Sequence, residues 1–180
     1  MKIYIPTNSK LMYIADLLFY GITILVLSVF LLFAAPRNQA LGLSLLILCG
    51  LLSWTGLEYL IHRFILHGVL PFERWHQEHH RFPSALIRTP TILSASLILL
   101  LVFFPISLFS ENVWQACALT LGLLAGYFTY SMTHHAIHHW HANSTWLKRR
   151  QEWHGLHHDL DEPRRYGVTS EFWDWIFRSR

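Results

Sequence analysis

The chain has 180 residues, of which 53% are hydrophobic and 14% charged, with a net charge of +3 when histidine is neutral. An ordinary soluble domain carries about 25% charged residues, so this composition argues against a soluble enzyme, and its hydrophobicity excludes disorder. The length fits one domain, 1–180, and the Lys and Arg content is too low for a nucleic-acid-binding protein, so no nucleic acid partner is expected.

A membrane-crossing helix needs about 20 apolar residues, and four stretches approach that length. The first covers about 13–35 and is uncharged from Leu17 to Ala35, with Asp16 just before. Pro36-Arg37-Asn38 reads as a turn. The second covers 40–66; it is uncharged as far as Leu57 and runs past Glu58 into histidine-bearing sequence. The third covers 89–110, with Pro105 predicted to kink it. Ser110-Glu111-Asn112 is a second turn, and the fourth span covers 112–138. Segments 68–88 and 141–180 are polar. The predicted fold is an all-α integral membrane protein with four transmembrane helices and a cytosolic, histidine-rich helical cap. Cys49 and Cys117 fall inside spans and are read as packing residues, not as a disulfide.

Charge gives the orientation. With a cytosolic N-terminus, four spans place both termini, 58–88 and 134–180 on the cytosolic side. Lys2, Lys10, Arg63, Arg74, Arg81, Arg88, Lys148, Arg149, Arg150, Arg164, Arg165, Arg178 and Arg180 then lie inside, and of 14 basic residues only Arg37 lies outside.

All 13 histidines fall on that same side. His62 and His67 make HxxxxH. His76, His79 and His80 make HxxHH. His134, His135, His138, His139 and His141 crowd the end of the fourth span, and His154, His157 and His158 make a second HxxHH. On an α-helix, residues three and four apart share a face, so each HxxHH aims three imidazoles one way. In HxxxxH the two rings point about 140° apart on an α-helix. That pair could grip a centre from the side or serve two metals. Imidazole suits Fe, Zn, Cu and Ni. One tetrahedral zinc cannot use ten imidazoles, so two metals with about five ligands each fit the count better. Metal-bound imidazoles usually donate their other N–H to a carboxylate or a carbonyl. Glu58, one turn before His62, is a candidate partner, with Glu78, Asp159 and Asp174 further choices. The spans carry no charge at mid-depth, which argues against metal transport. Neutral ligands imply loss of metal as pH falls towards the ordinary histidine value near 6.5.

The order HxxxxH, HxxHH, HxxxH, HxxHH resembles the fatty acid hydroxylase superfamily of membrane di-iron oxygenases. Glu58-Tyr-Leu-Ile-His-Arg-Phe-Ile-Leu-His67 and Tyr130-Ser-Met-Thr-His-His-Ala-Ile-His138 look like the first and third boxes of fatty acid 2-hydroxylases. Residues Tyr166–Phe177 resemble the family's C-terminal signature. The resemblance covers roughly 45–178. It implies metal ligands at His62, His67, His76, His79, His80, His134, His138, His154, His157 and His158, leaving His135, His139 and His141 without a role. The third box reads either as His134 with His138, as in the fatty acid hydroxylases, or as His134 with His139, closer to the carotenoid hydroxylases. The chain has Ser131 and His135 where many 2-hydroxylases have Asp and Tyr, and Phe177-Arg178-Ser179 where the family ends in Phe-Gly-Thr.

The resemblance implies two iron ions, with zinc able to substitute in purified samples, and O2-dependent hydroxylation of an acyl chain of a fatty acid or ceramide-type membrane lipid. Alternatives are a carotenoid or sterol hydroxylase or desaturase, and a non-catalytic metal-binding membrane protein. The ten residues before the first span are read as too short for the haem domain of many eukaryotic relatives. A separate ferredoxin or cytochrome is therefore the expected external electron donor. No retrieval signal is seen at the C-terminus, which favours a bacterial inner membrane over the endoplasmic reticulum. Trp75, Trp140, Trp146, Trp153, Trp173 and Trp175 read as an interfacial belt or as the lining of an acyl path. Lys148-Arg149-Arg150 and Arg164-Arg165 could bind a headgroup or redox partner, or serve as inside anchors.

Overall fold

A computed structural model describes residues 9–87, 89–159 and 164–180. Lys2 and Arg88 from the charge count, and 160–163 of the expected cap, lie outside the described residues. The described residues form helices α1 (Lys10–Ala34), α2 (Ala40–Leu60), α3 (Phe72–Arg81), α4 (Thr91–Ile98), α5 (Phe104–Ser110), α6 (Val113–His139), α7 (Thr145–Asp159) and α8 (Phe172–Ile176), with no strand among them. The chain divides into two compact units, one of Lys10–Trp54 with Thr89–Phe128, the other of Thr55–Arg88 and Thr129–Arg180.

Three helical segments are long and apolar enough to cross a membrane, namely Lys10–Ala34, Arg37–Leu66 and Thr91–Ser110. The chain is therefore an integral membrane protein. The fourth expected span falls in α6, which is not among the three. Gln115, Thr120, Thr129 and two glycines dilute its apolarity. Many of its side chains serve packing, with Ala116, Cys117, Ala118, Leu121, Leu123 and Leu124 buried.

In the first unit α2 and α6 approach almost backbone to backbone. A Cβ on Gly50 would sit 2.5 Å from the Leu119 carbonyl, and one on Gly122 would run into the Ile47 carbonyl. Small residues allow such contact where lipid gives no hydrophobic drive to associate. Leu31, Leu43, Cys117, Ala118 and Leu121 pack around it. Asp16 is buried and accepts a hydrogen bond from Thr91 Oγ1, and Tyr20 Oη lies 2.7 Å from Ser94 Oγ, so polar pairs tie α1 to α4.

Pro105 does not break the third segment. The ladder widens to a π-helix over Leu99–Phe103, and Pro105 enters the first turn of α5, where its missing N–H costs least. Glu111 ends α5 with a left-handed φ of 50°, and Asn112 Oδ1 accepts the Trp114 N–H at 3.0 Å to start α6. The predicted turn is thus in place. Cys49 and Cys117 are both free thiols.

Gly122→Ala should cost about 1–3 kcal/mol by forcing α2 and α6 apart. Gly42→Ala, whose Cβ meets nothing within 4 Å, should be neutral or mildly stabilising. Denaturant unfolding of the detergent-solubilised chain compares the two.

Candidate metal centre

The histidines of the second unit come from the end of α2, from α3, the end of α6 and α7. The end of α2 changes form at the first box. Ile61–Leu66 is a π-helix, whose i→i+5 bonding lines up residues five apart. This removes the wide divergence that an α-helix would give HxxxxH. The His62 and His67 rings stack at 5.3 Å and 24°. Both box-two and box-four motifs stay α-helical and present their rings on one face.

Two groups of ring nitrogens result, each with its donor atoms within 4.8 Å of one another: His62, His67, His76, His80 and His157, and His79, His134, His138 and His154. His158 joins the second group's surroundings, its Nε2 lying 3.1 Å from His154 Nε2, while its ring stacks on His80 at 4.2 Å. His134 Nε2 and His138 Nε2 are 3.1 Å apart, so the fold brings together the HxxxH pairing of the third box and leaves His139 outside. His135 and His139 stack on each other at 4.5 Å, outside both groups, and His141 is exposed and also outside.

The donor chemistry fits cations. His62 Nδ1 donates to the Tyr166 carbonyl at 2.5 Å, and His157 Nδ1 donates to the Arg164 carbonyl. A neutral imidazole carries one N–H, so both Nε2 atoms are left as lone pairs. Yet His62 Nε2 lies 2.9 Å from His76 Nε2, which is also 3.0 Å from His80 Nε2, and His157 Nε2 lies 3.2 Å from His67 Nε2. His154 Nε2 has three such neighbours, in His134, His138 and His158, at 3.2, 3.0 and 3.1 Å. Single protons cannot satisfy these clusters. A cation at each focus can, because nitrogens bound at about 2.1 Å and at right angles are about 3 Å apart.

Carboxylates act at one remove. Glu58, buried on α2, accepts the Val168 N–H at 2.7 Å, the Thr169 N–H at 2.9 Å and the Thr169 hydroxyl at 2.6 Å, and its bonds go to this segment and not to His62. Asp174 is fully buried on α8 and accepts the N–H groups of Tyr166 at 2.9 Å and Gly167 at 2.8 Å and the Ser179 hydroxyl at 2.8 Å. Asp159 is exposed and acts on His158 through space, and Glu78 pairs with Arg81 at 3.9 Å. Gly167 is required where it stands, since a Cβ there would strike the Ser170 carbonyl. The backbone carbonyls of residues 164 and 166 are partners that no side-chain pattern announces. Arg149 binds Glu171 through two hydrogen bonds of 2.8 Å, and Arg150 binds the same carboxylate. Two of the three consecutive basic residues are thus engaged within the unit.

The C-terminus explains its own departures. Arg178 holds a left-handed φ of 52°, the conformation that favours glycine. Ser179 supplies the hydroxyl, bonding Asp174 and lying 2.9 Å from Tyr59 Oη.

The sequence profile of the family described as fatty acid hydroxylase matches residues 47–179. The chain belongs to this family. Two Arabidopsis thaliana relatives named dihydroceramide fatty acyl 2-hydroxylase are 31% and 29% identical to it, over 75% and 78% of this chain and 60% and 65% of their own lengths. The human fatty acid 2-hydroxylase is 28% identical over 81% of this chain and 41% of its own. A solved structure of full-length scs7p, in which only the hydroxylase domain is visible, superposes with a TM-score of 0.75 at 25% identity, covering 93% of this chain and 66% of the other. The chain thus spans about two fifths to two thirds of the length of these fatty acid hydroxylase relatives.

Burial shifts the histidines strongly. Desolvation, then repulsion from neighbouring imidazoles, pushes His79 and His80 down to about 2, and desolvation and His158 push His67 down to about 4. Desolvation takes His157 to about 3 despite its bond to the Arg164 carbonyl. In the metal-free chain these four rings are thus held neutral below 6.5. The unfolded chain binds protons from about pH 6.5 downward while the folded chain does not. Stability of the metal-free protein should be flat above that pH and fall progressively below it, read as a declining thermal midpoint. In a separate series, Arg178→Gly should raise stability by about 1 kcal/mol by relieving the left-handed residue.

Proposed function

We propose that this chain is an O2-dependent di-iron hydroxylase acting on the acyl chain of a fatty acid or ceramide-type lipid. The observation that carries the reading is the pair of converging imidazole groups, in a chain of the fatty acid hydroxylase family. The ten histidines that supply ligands are His62, His67, His76, His80 and His157 for one ion, and His79, His134, His138, His154 and His158 for the other. When two iron ions are bound there, the chemistry they supply is oxidation of an acyl C–H bond by O2. The relatives' printed names, dihydroceramide fatty acyl 2-hydroxylase and fatty acid 2-hydroxylase, support an acyl substrate and oxidation at its second carbon.

The protein's part is to hold the nitrogens neutral and aimed. Burial keeps protons off the rings, and the Tyr166 and Arg164 carbonyls fix two tautomers so that Nε2 faces inward. A membrane lipid is the substrate that suits a chain with three apolar segments of membrane length. The distribution of basic residues supports cytosolic termini, a fourth crossing by α6 and histidines on the cytosolic side, where a separate ferredoxin or cytochrome can deliver electrons.

Lipids extracted from cells expressing the wild type and His157→Ala/His158→Ala, compared by mass spectrometry, test this. The expected result is a gain of one oxygen on an acyl chain that the double variant loses. Identical lipids in both, with the wild type fully metal-loaded, would rule out acyl hydroxylation.

A further inference from the structure

We propose that residues 164–169 form a strap that makes the two imidazole groups unequal, with Glu58 and Asp174 as the positioning residues that hold it. The proposal rests on the reading that both groups bind metal. Five consecutive backbone N–H groups of the strap, outside any helix or strand, each bond to a group beyond the strap. The Arg165 N–H donates to the Ser179 carbonyl at 2.7 Å, those of Tyr166 and Gly167 to Asp174, and those of Val168 and Thr169 to Glu58. Arg165 takes a left-handed φ of 60°, a conformation that persists in a non-glycine residue when its surroundings over-determine it.

On the other edge, the strap presents two carbonyls to the first group only. Arg164 receives the Nδ1–H of His157 and Tyr166 that of His62. Among the described residues, His79, His134, His138 and His154 make no comparable bond to a backbone carbonyl, and the Nδ1 atoms of His154 and His158 are buried without a hydrogen-bond partner, although the nearby His80 backbone favours the charged form of His158. Bonds of this kind fix ring orientation and raise ligand basicity, and losing one typically costs about 10–100-fold in metal affinity. The first group is therefore the tight site and the second the weak one.

The two carboxylates differ in what they tolerate. Among the described residues, Glu58 Oε1 accepts two N–H groups, while Oε2 meets only the Thr169 hydroxyl, which can reverse its role. Glutamine satisfies that arrangement. Both oxygens of Asp174 face N–H donors that cannot reverse, so asparagine must set an NH2 against one of them.

Anaerobic equilibrium titration of the full chain with ferrous iron tests the strap, with His67→Ala and His138→Ala assigning the two constants to their groups. The wild type should bind two ions with unequal constants. Glu58→Ala and Asp174→Asn should weaken the tight constant by about 10–100-fold and leave the weak one unchanged, while Glu58→Gln binds as the wild type. Thr169→Val, a milder change should Glu58→Ala fail to fold, should weaken the tight constant alone by a smaller factor. Equal constants in the wild type, or both constants falling together in the variants, would overturn the strap and leave the di-iron reading standing. Fewer than two ions in the wild type would overturn that reading itself.

Discussion

A neutral imidazole brings a lone pair wherever it does not bring a proton, and nine of them crowd into two small volumes of this chain. Protonation is a costly way to relieve that crowding, because burial and mutual repulsion push rings such as His79 and His80 well below their ordinary value. Nor can they satisfy one another, since His76 and His154 each face several nitrogens at hydrogen-bond distance. A positive charge at each focus resolves the arrangement. The π-turn, the buried carboxylates and the C-terminal tail all bear on the first of those points, where His62, His67 and His157 meet.

The two π-helical stretches solve different problems by the same widening of the ladder. At Ile61–Leu66 it aligns residues five apart and brings His62 and His67 to one focus. At Leu99–Phe103 it precedes Pro105 in an apolar segment of membrane length. The glycine contacts of α2 and α6 let two backbones meet where side chains would have held them apart.

Much of this was legible in the sequence because imidazole spacing and apolar length are local signals. The HxxHH motifs lie on α-helices as expected, and the turns at Pro36 and Ser110–Asn112 fall where their residues demand. The fourth span was not so simple. An uncharged run looks the same whether it faces lipid or other helices, and Ala116 and Ala118 are fully buried. The HxxxxH pair could not be placed because its direction depends on a backbone form that spacing alone does not specify. Glu58 and Asp174 stood out as carboxylates near histidines, but their effect passes through backbone N–H groups more than a hundred and about eight residues away, respectively. Backbone carbonyls as ring partners leave no trace in side-chain pattern at all.

The most direct test of two all-imidazole metal sites is X-ray absorption at the metal edge, combined with metal content, on the purified full chain. The account predicts two ions per chain, each with a shell of nitrogen neighbours at about 2.0–2.2 Å and the outer scattering of imidazole rings. A single ion, or a first shell dominated by sulfur or carboxylate oxygen, would contradict it.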